Sequence, residues 1–254
     1  MTTEGGCCAA LIRKLEHFKK LSDEDKELLA KSVARTVEFG AGSDVIRKGD
    51  KPDYVHLLVD GWAGRYKLLP DGGRNIMAYL VPGDLCDVNV ALLEEMDHSI
   101  GALSACKVAL IPLAAIRNVM DENRTLARAL WWGTLVDEAV LREWLVTVGS
   151  RPAQQRVGHL ICEMLIRTEA VGLARGNSFD LPLTQQELAD TMGMSLVHMN
   201  RTLQALRSKE LITTNGHMVT VENLRALIKF SAFDPLYLHQ QAHKFRSCMQ
   251  VKVA

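Results

Sequence analysis

Residues 184–207 read TQQELADTMGMSLVHMNRTLQALR, two short helices with a turn written between them. Thr184 followed three positions later by Glu187 has the spacing of a capping box, which starts a helix at 184–185. Leu188 and Met192 fall on its buried edge, and Ala189 is small where a second helix must cross closely. Gly193 supplies a turn residue that tolerates positive φ. Ser195 can cap the second helix. Leu196, Met199, Leu203 and Leu206 recur there at helical spacing as a core-facing stripe. Val197, His198, Asn200, Arg201 and Gln204 are left on the outward edge. Two helices joined by a tight glycine turn form a helix-turn-helix, whose second helix enters the DNA major groove.

The stretch that follows, ELITTNGHMVTV (210–221), places two alternating runs around Asn215–Gly216, a strong short-range hairpin signal. A helix-turn-helix with a two-stranded wing is a winged-helix domain. Upstream, between residues 36 and 112, short β-rich runs (VEF, DVI, VHLLV, GRYKLL, NIMAYLV, SIGALS, KVALIP) alternate with turn signals. Their spacing of roughly 8–12 residues is that of an antiparallel sandwich or barrel. PDGG at 70–73 reads as a hairpin tip. The first 35 residues look helical and amphipathic, with a second helix starting at Ser22 and Asp25.

From 113 to 148 the pattern reads as one helix interrupted only by Gly133. It is apolar on two sides: Leu126, Ala129, Gly133, Val136 and Val140 on one, Leu130, Leu141, Trp144 and Val148 on the other. A helix with two apolar faces needs two partners. We assign one face to the β domain and the other to a second copy of the chain, with Leu126, Leu130, Gly133, Val136, Val140 and Trp144 as interface residues. Ser150–Arg151–Pro152 reads as a domain boundary. The expected organisation is α+β. Helices and a β-roll occupy 1–112, a dimerisation helix 113–150, a winged helix-turn-helix 151–230, and a C-terminal tail 231–254.

Forty-eight per cent apolar and 24 per cent charged residues describe an ordinary globular chain, and the formal net charge is zero. The first 150 residues hold 18 Lys and Arg against 22 Asp and Glu; the remainder hold 12 against 8. The second half is therefore the one suited to a polyanion. No long apolar run and no leader pattern occur, so we expect a cytoplasmic protein with no membrane partner. The cysteines at 7, 8, 86, 106, 162 and 248 form no C-x-x-C pair, and no metal site is expected. The sequence contains no phosphate-cradling glycine loop, nucleophile elbow or activated Cys–His set, which argues against an enzyme.

The whole order resembles the CRP/FNR superfamily of bacterial transcription regulators. In the β region the resemblance rests on IRKGDKPDYVHLLVDGWAGRY (46–66) and YLVPGDLC (79–86), with Gly49, Gly61 and Gly83 at the turns of the family's cyclic-nucleotide-binding-like β-roll. At the C-terminal end it rests on LPLTQQELADTMGMSLVHMNRTLQALRSKELI (181–212). The resemblance implies a homodimer that binds a palindromic promoter site on double-stranded DNA and meets RNA polymerase. Arg201 falls at the family's base-contacting arginine; Asn200, His198 and Val197 are further base-contact candidates. Many members carry a glutamate where Val197 stands. Thr184, Gln185, Gln204, Asn215 and His217 are phosphate-contact candidates, which fix position without reading sequence. The alternative is a sensor protein whose winged helix docks a protein rather than DNA. Such a surface would expose large apolar groups, whereas this edge offers mainly His, Asn, Arg and Gln.

For the effector region, Cys86, Asp87, Val88, His98 and Ser99 are the candidates. Cyclic-nucleotide-binding members carry a Gly-Glu pair and an Arg-Ser pair there. This chain has Asp87–Val88 and His98–Ser99 instead, so the acid for the ribose and the cation for the phosphate are both missing, with Glu94, Glu95 and Asp97 nearby. An iron–sulfur cluster needs four thiolates, and Cys7–Cys8 stand adjacent and unaccompanied. No spacing among His17, His56, His98, Cys86 and Cys106 marks a haem ligand, and oxidation of Cys86, Cys106 or Cys248 has no motif behind it. The closer resemblance is to FixK-like members, many of which need no effector and are controlled by their amount.

Overall fold

The computed structural model describes residues 6–240 and residue 245. The chain parts into two compact units, one ending at Asp137 and the other beginning at Glu138.

The first unit opens with α1 (Ala9–Leu15) and α2 (Asp23–Ser32), the latter started by the expected Ser22/Asp25 capping box. The strands follow as β1 (Arg35–Phe39), β2 (Asp44–Ile46), β3 (Tyr54–Asp60), β4 (Ala63–Leu68) and β5 (Arg74–Leu80). After the short α3 (Val90–Leu93) come β6 (Ser99–Ala102) and β7 (Cys106–Pro112). Two antiparallel sheets result, in the orders β1-β7-β3 and β2-β6-β4-β5. Val55, Leu57, Leu58, Ile100, Val108 and Ile111 fill the core beside Leu11, Leu15 and Leu29 from the leading helices. Gly61 makes the β3–β4 turn at φ +82°, and a Cβ there would lie 2.1 Å from the Ala105 carbonyl oxygen. Only glycine fits that turn.

The helical stretch after β7 is two helices rather than one: α4 (Leu113–Glu122) and α5 (Arg124–Ser150). Asn123 makes the break. Its Oδ1 accepts from the Leu126 amide at 2.9 Å, capping α5, and its Nδ2 donates to Asp25 Oδ1 at 2.7 Å. The unit boundary lies inside α5, not at Ser150–Pro152, because the last turns of that helix pack into the second unit.

The faces of α5 also correct the expected interface. Leu126, Leu130, Val136, Val140 and Trp144 are buried within the chain itself, and Gly133 is half-buried. Trp131, Leu135, Leu141, Leu145 and Val146 are exposed instead, Leu145 at 76%. Both stripes named from the sequence turn inward apart from Leu141, and the exposed ridge consists mostly of residues that neither stripe contained.

In the second unit α6 (Ala153–Ala170) is the central rod, buried at nearly every position from Val157 to Ile166. Around it stand β8 (Ser178–Asp180), α7 (Gln185–Met192), α8 (Leu196–Ser208), β9 (Ile212–Asn215), β10 (Met218–Val221) and α9 (Leu224–Ser231). The wing sheet has the order β8-β10-β9, and its β9–β10 loop is Gly216–His217 with Gly216 at φ +59°. The expected tail is part of this core as far as it is described: Phe233, Leu238 and Phe245 are buried. Cys248 lies outside the described residues.

One buried carboxylate ties this unit together. Glu163 accepts from the Trp144 indole and the Tyr237 hydroxyl, both at 2.8 Å, and from Arg167 at 3.2 Å. Burial raises its pKa against the opposing pull of Arg167 and the two hydrogen bonds. Beside it His159 is sandwiched by Phe233 and Tyr237. Burial, then the Arg151 charge, lower its pKa to about 3, so it is neutral near pH 7.

The unfolded chain binds the His159 proton below about pH 6.5 while the folded chain resists it until about 3, so stability falls as pH drops through that window. Glu163, with its raised pKa, opposes this trend. Urea titrations of wild type and His159→Gln between pH 6.5 and 4 isolate the histidine. The variant should lose a slope of about 1.4 kcal/mol per pH unit; equal slopes would show that His159 is not held neutral.

Candidate nucleic-acid interface

The outward surface of α8 is set by its two neighbours. Thr184 accepts from the Glu187 amide at 3.1 Å, and Glu187 Oε2 accepts from the Thr184 amide at 2.8 Å, so α7 starts where expected. Gly193 closes α7 at φ +60°, and Ser195 caps α8 by accepting from the His198 amide at 3.3 Å. Arg156 on α6 clamps the turn, donating to the Met192 carbonyl at 3.1 Å. Met199, Leu203 and Leu206 are buried against this frame. Leu196 is not: it is the first residue of α8 and is 45% exposed.

The exposed face of α8 carries Val197, His198, Arg201 and Gln204 in line. Arg201 makes no hydrogen bond or ion pair among the described residues, and its five donors face outward. Asn200 is different. Its Nδ2 donates to Gln185 Oε1 at 2.9 Å, so these two candidates satisfy one another across the helix pair and form part of the scaffold. Thr184 is exposed, but its hydroxyl is taken by the cap. Asn215 and His217 project at the wing tip, both exposed. Arg207 reaches the wing, donating to Thr214 Oγ1 at 3.0 Å, and so fixes the wing against α8. An open groove of about 560 Å³ lies between the start of α6 (Pro152–Gln155) and the His198–Arg201–Thr202 edge, with Phe230 at its floor. Sequence reading missed that wall. No side chain caps α6 and its first turn lines the groove, so the positive end of its dipole lies at that wall, an arrangement suited to a phosphate near Arg201.

The polar effector candidates Asp87, His98 and Ser99 are each engaged with a neighbour of their own. Asp87 is buried, with its carboxylate accepting from the His56 amide and sharing a hydrogen bond with His56 Nδ1, each at 2.8 Å. Ser99 accepts from the Lys48 amide at 3.0 Å, and His98 Nδ1 pairs with Asp97 at 2.6 Å. Val88 lies half-buried beside α1 and α5. Cys86 is buried, and burial followed by the Asp87 charge pushes its thiol well up. Cys8 is raised to about 11 by burial and Cys7, and Cys106 is raised by burial. Thiols held protonated are poor nucleophiles and poor metal ligands. A cyclic nucleotide needs a cation for its phosphate and an acceptor for its ribose; the groups present are already committed to one another. They do not fit one.

Residues 36–123 match the cyclic nucleotide-binding domain, and residues 155–230 match the Crp-like helix-turn-helix domain. The transcriptional activator protein FnrL of Cereibacter sphaeroides is 27% identical over 194 residues, 74% of this chain and 77% of that protein. The nitrogen fixation regulation protein FixK of Bradyrhizobium diazoefficiens is 27% identical over 199 residues, 78% of this chain and 76% of that one. The chain belongs to the CRP/FNR family. It is a DNA-binding transcription regulator rather than an enzyme, and the DNA reading prevails over a winged helix that docks a protein. The solved structure of FixK2 from Bradyrhizobium japonicum shares the regulator's fold with a TM-score of 0.72 at 23% identity, over 80% of this chain and 99% of that one. No helix among the regulator's described residues is long and apolar enough to cross a membrane.

Proposed function

We propose that the regulator works in the cytoplasm as a homodimer that reads a palindromic promoter site and acts through RNA polymerase. The observation that carries the DNA contact is the free, outward guanidinium of Arg201 in the middle of the exposed α8 face. An arginine there can donate two bonds to guanine O6 and N7, each such pair being worth ~1–3 kcal/mol of discrimination. Val197 beside it offers an apolar contact, suited to a thymine methyl, where a glutamate would accept from cytosine. His198, Gln204, Asn215 and His217 lie on the same side as phosphate contacts, with His198 also close enough to Arg201 to meet a base.

The second copy is supported by the bare ridge of α5. Trp131, Leu135, Leu141, Leu145 and Val146 are too large and too contiguous an apolar surface to leave to water. A two-fold pairing along such a ridge is self-complementary, and it presents one α8 to each half-site. The committed polar groups around Asp87 and Arg65 support control by the amount of protein rather than by a cyclic nucleotide, haem or iron–sulfur cluster. The names of relatives such as FnrL, a transcriptional activator, support activation.

Selection from a pool of random duplexes at two salt concentrations tests the DNA reading. A palindrome should be enriched, with affinity falling steeply as salt rises. Arg201→Ala should relax the choice at one base pair per half-site, whereas uniform weakening would make Arg201 a phosphate contact. Leu135→Glu with Leu145→Glu should convert the dimer to monomer in size-exclusion light scattering. An unchanged mass would remove α5 from the interface.

A further inference from the structure

Arg65 lies in the middle of the four-stranded sheet, where β4 pairs with β5 and β6 on either side of it. Its guanidinium leaves the sheet and makes three bonds. Nε donates to the Cys86 carbonyl and Nη2 to the Leu85 carbonyl, both at 3.2 Å, and Nη2 also donates to Asp137 Oδ2 on α5 at 3.0 Å. Asp137 lies 3.7 Å from Lys14 of α1, whose ammonium bonds Asp84 Oδ1 at 2.7 Å. Asp84 in turn accepts from the Val81 amide at 2.9 Å through its other oxygen. Two cations and two carboxylates therefore join α1, β4, the 81–88 turn and α5. Burial is the largest influence and works against the Arg65 charge, but the charge and hydrogen bond of Asp137, together with Cys86 and Asp84, hold its pKa above the ordinary value.

Little space is left beside Lys14 and Asp137. Gly83 takes φ +95°, and a Cβ there would stand 2.7 Å from the Ala10 carbonyl carbon, so α1 is seated directly on the turn. The cavity left among Leu11, Lys14, Leu85, Leu130, Thr134 and Asp137 is about 20 Å³, room for a single water. Small-molecule sites run to several hundred Å³. Between α1, the 83–88 turn and α5, the chain's own groups thus leave no room for a small molecule.

We propose that the Arg65–Asp137 pair is a built-in substitute for an effector: it fastens the first half of α5 to the sheet and keeps the regulator competent for DNA with no ligand bound. Arg65 and Asp137 are then positioning residues for DNA binding, with Lys14 and Asp84 supporting them. This rests on the reading of the chain as an effector-independent regulator. It goes further by naming the pair that makes an effector unnecessary.

The test uses the full chain and two readouts. Hydrogen exchange on the DNA-free protein reports whether α5 is fastened; fluorescence anisotropy on the selected palindrome reports DNA affinity. Arg65→Met and Asp137→Asn should each speed exchange in α5 around residues 130–140 and weaken DNA binding about tenfold. The double variant should be no worse than either single one, since both remove the same contact. Asp137→Asn keeps the side-chain shape and serves as the test if Arg65→Met does not fold. Unchanged exchange in both variants overturns the fastening. Faster exchange with undiminished DNA affinity overturns its role as an effector substitute and leaves the regulator reading intact. A tenfold gain in wild-type affinity on adding cyclic AMP also overturns it. If the wild type selects no palindrome, the regulator reading itself fails, while the exchange data still judge the tether.

Discussion

Everything in this protein hangs on α5 having more apolar surface than one chain can cover. A helix running from Arg124 to Ser150 contributes Leu126, Ala129 and Leu130 to the core of the first unit and Trp144 to the second. That exhausts one stripe. The other, from Trp131 to Val146, stays bare. In water a stripe of that size is a standing cost that only another surface relieves, and a second copy offers the matching ridge by symmetry. The same helix is fastened by charge at Asp137 and by the indole–carboxylate bond at Trp144. Each of these polar contacts is directional within its own unit in a way that apolar packing is not.

Much of the fold was legible because turn chemistry is local. Ser22/Asp25, Thr184/Glu187, Gly193 and Ser195 each act within a few residues, and each does in the structure what its spacing foretells. The strands between 36 and 112 were equally plain, since turn signals bracket every one of them. What sequence could not show was the third apolar row on α5, Trp131, Leu135, Leu145 and Val146, because a helix with apolar residues on every side has no single period that marks its inner face. The break at Asn123 was hidden for a related reason. That residue ends α4 and caps α5 at once, and its second bond goes to Asp25, 98 positions away.

The candidate site divides the same way. The exposed row of His198, Arg201 and Gln204 follows from helical geometry once the buried side is known. Asn200 looked equivalent on that row, yet its amide is spent on Gln185, a contact between two helices that no local pattern encodes. Leu196 shows the converse, an apolar residue in phase with the core that stands at the helix start and stays exposed. Arg65 was invisible for the strongest reason. It sits in the quoted 46–66 stretch with nothing local to mark its role, and its partner Asp137 stands 72 residues further on. The sequence showed a nucleotide pocket short of its acid and its cation; the structure adds Arg65, a cation bonded to the carbonyls of Leu85 and Cys86 beside those missing groups.

The central claim is that two copies of α8, carried by paired α5 helices, read guanines through Arg201. Guanine methylation interference on the selected duplex tests it most directly, because N7 methylation blocks the groove edge an arginine would grasp. The account predicts interference at symmetric guanines, one set per half-site and about one helical turn apart, with that interference absent for Arg201→Ala. Interference in one half-site only, or none at any guanine that the wild type is shown to cover, would contradict it.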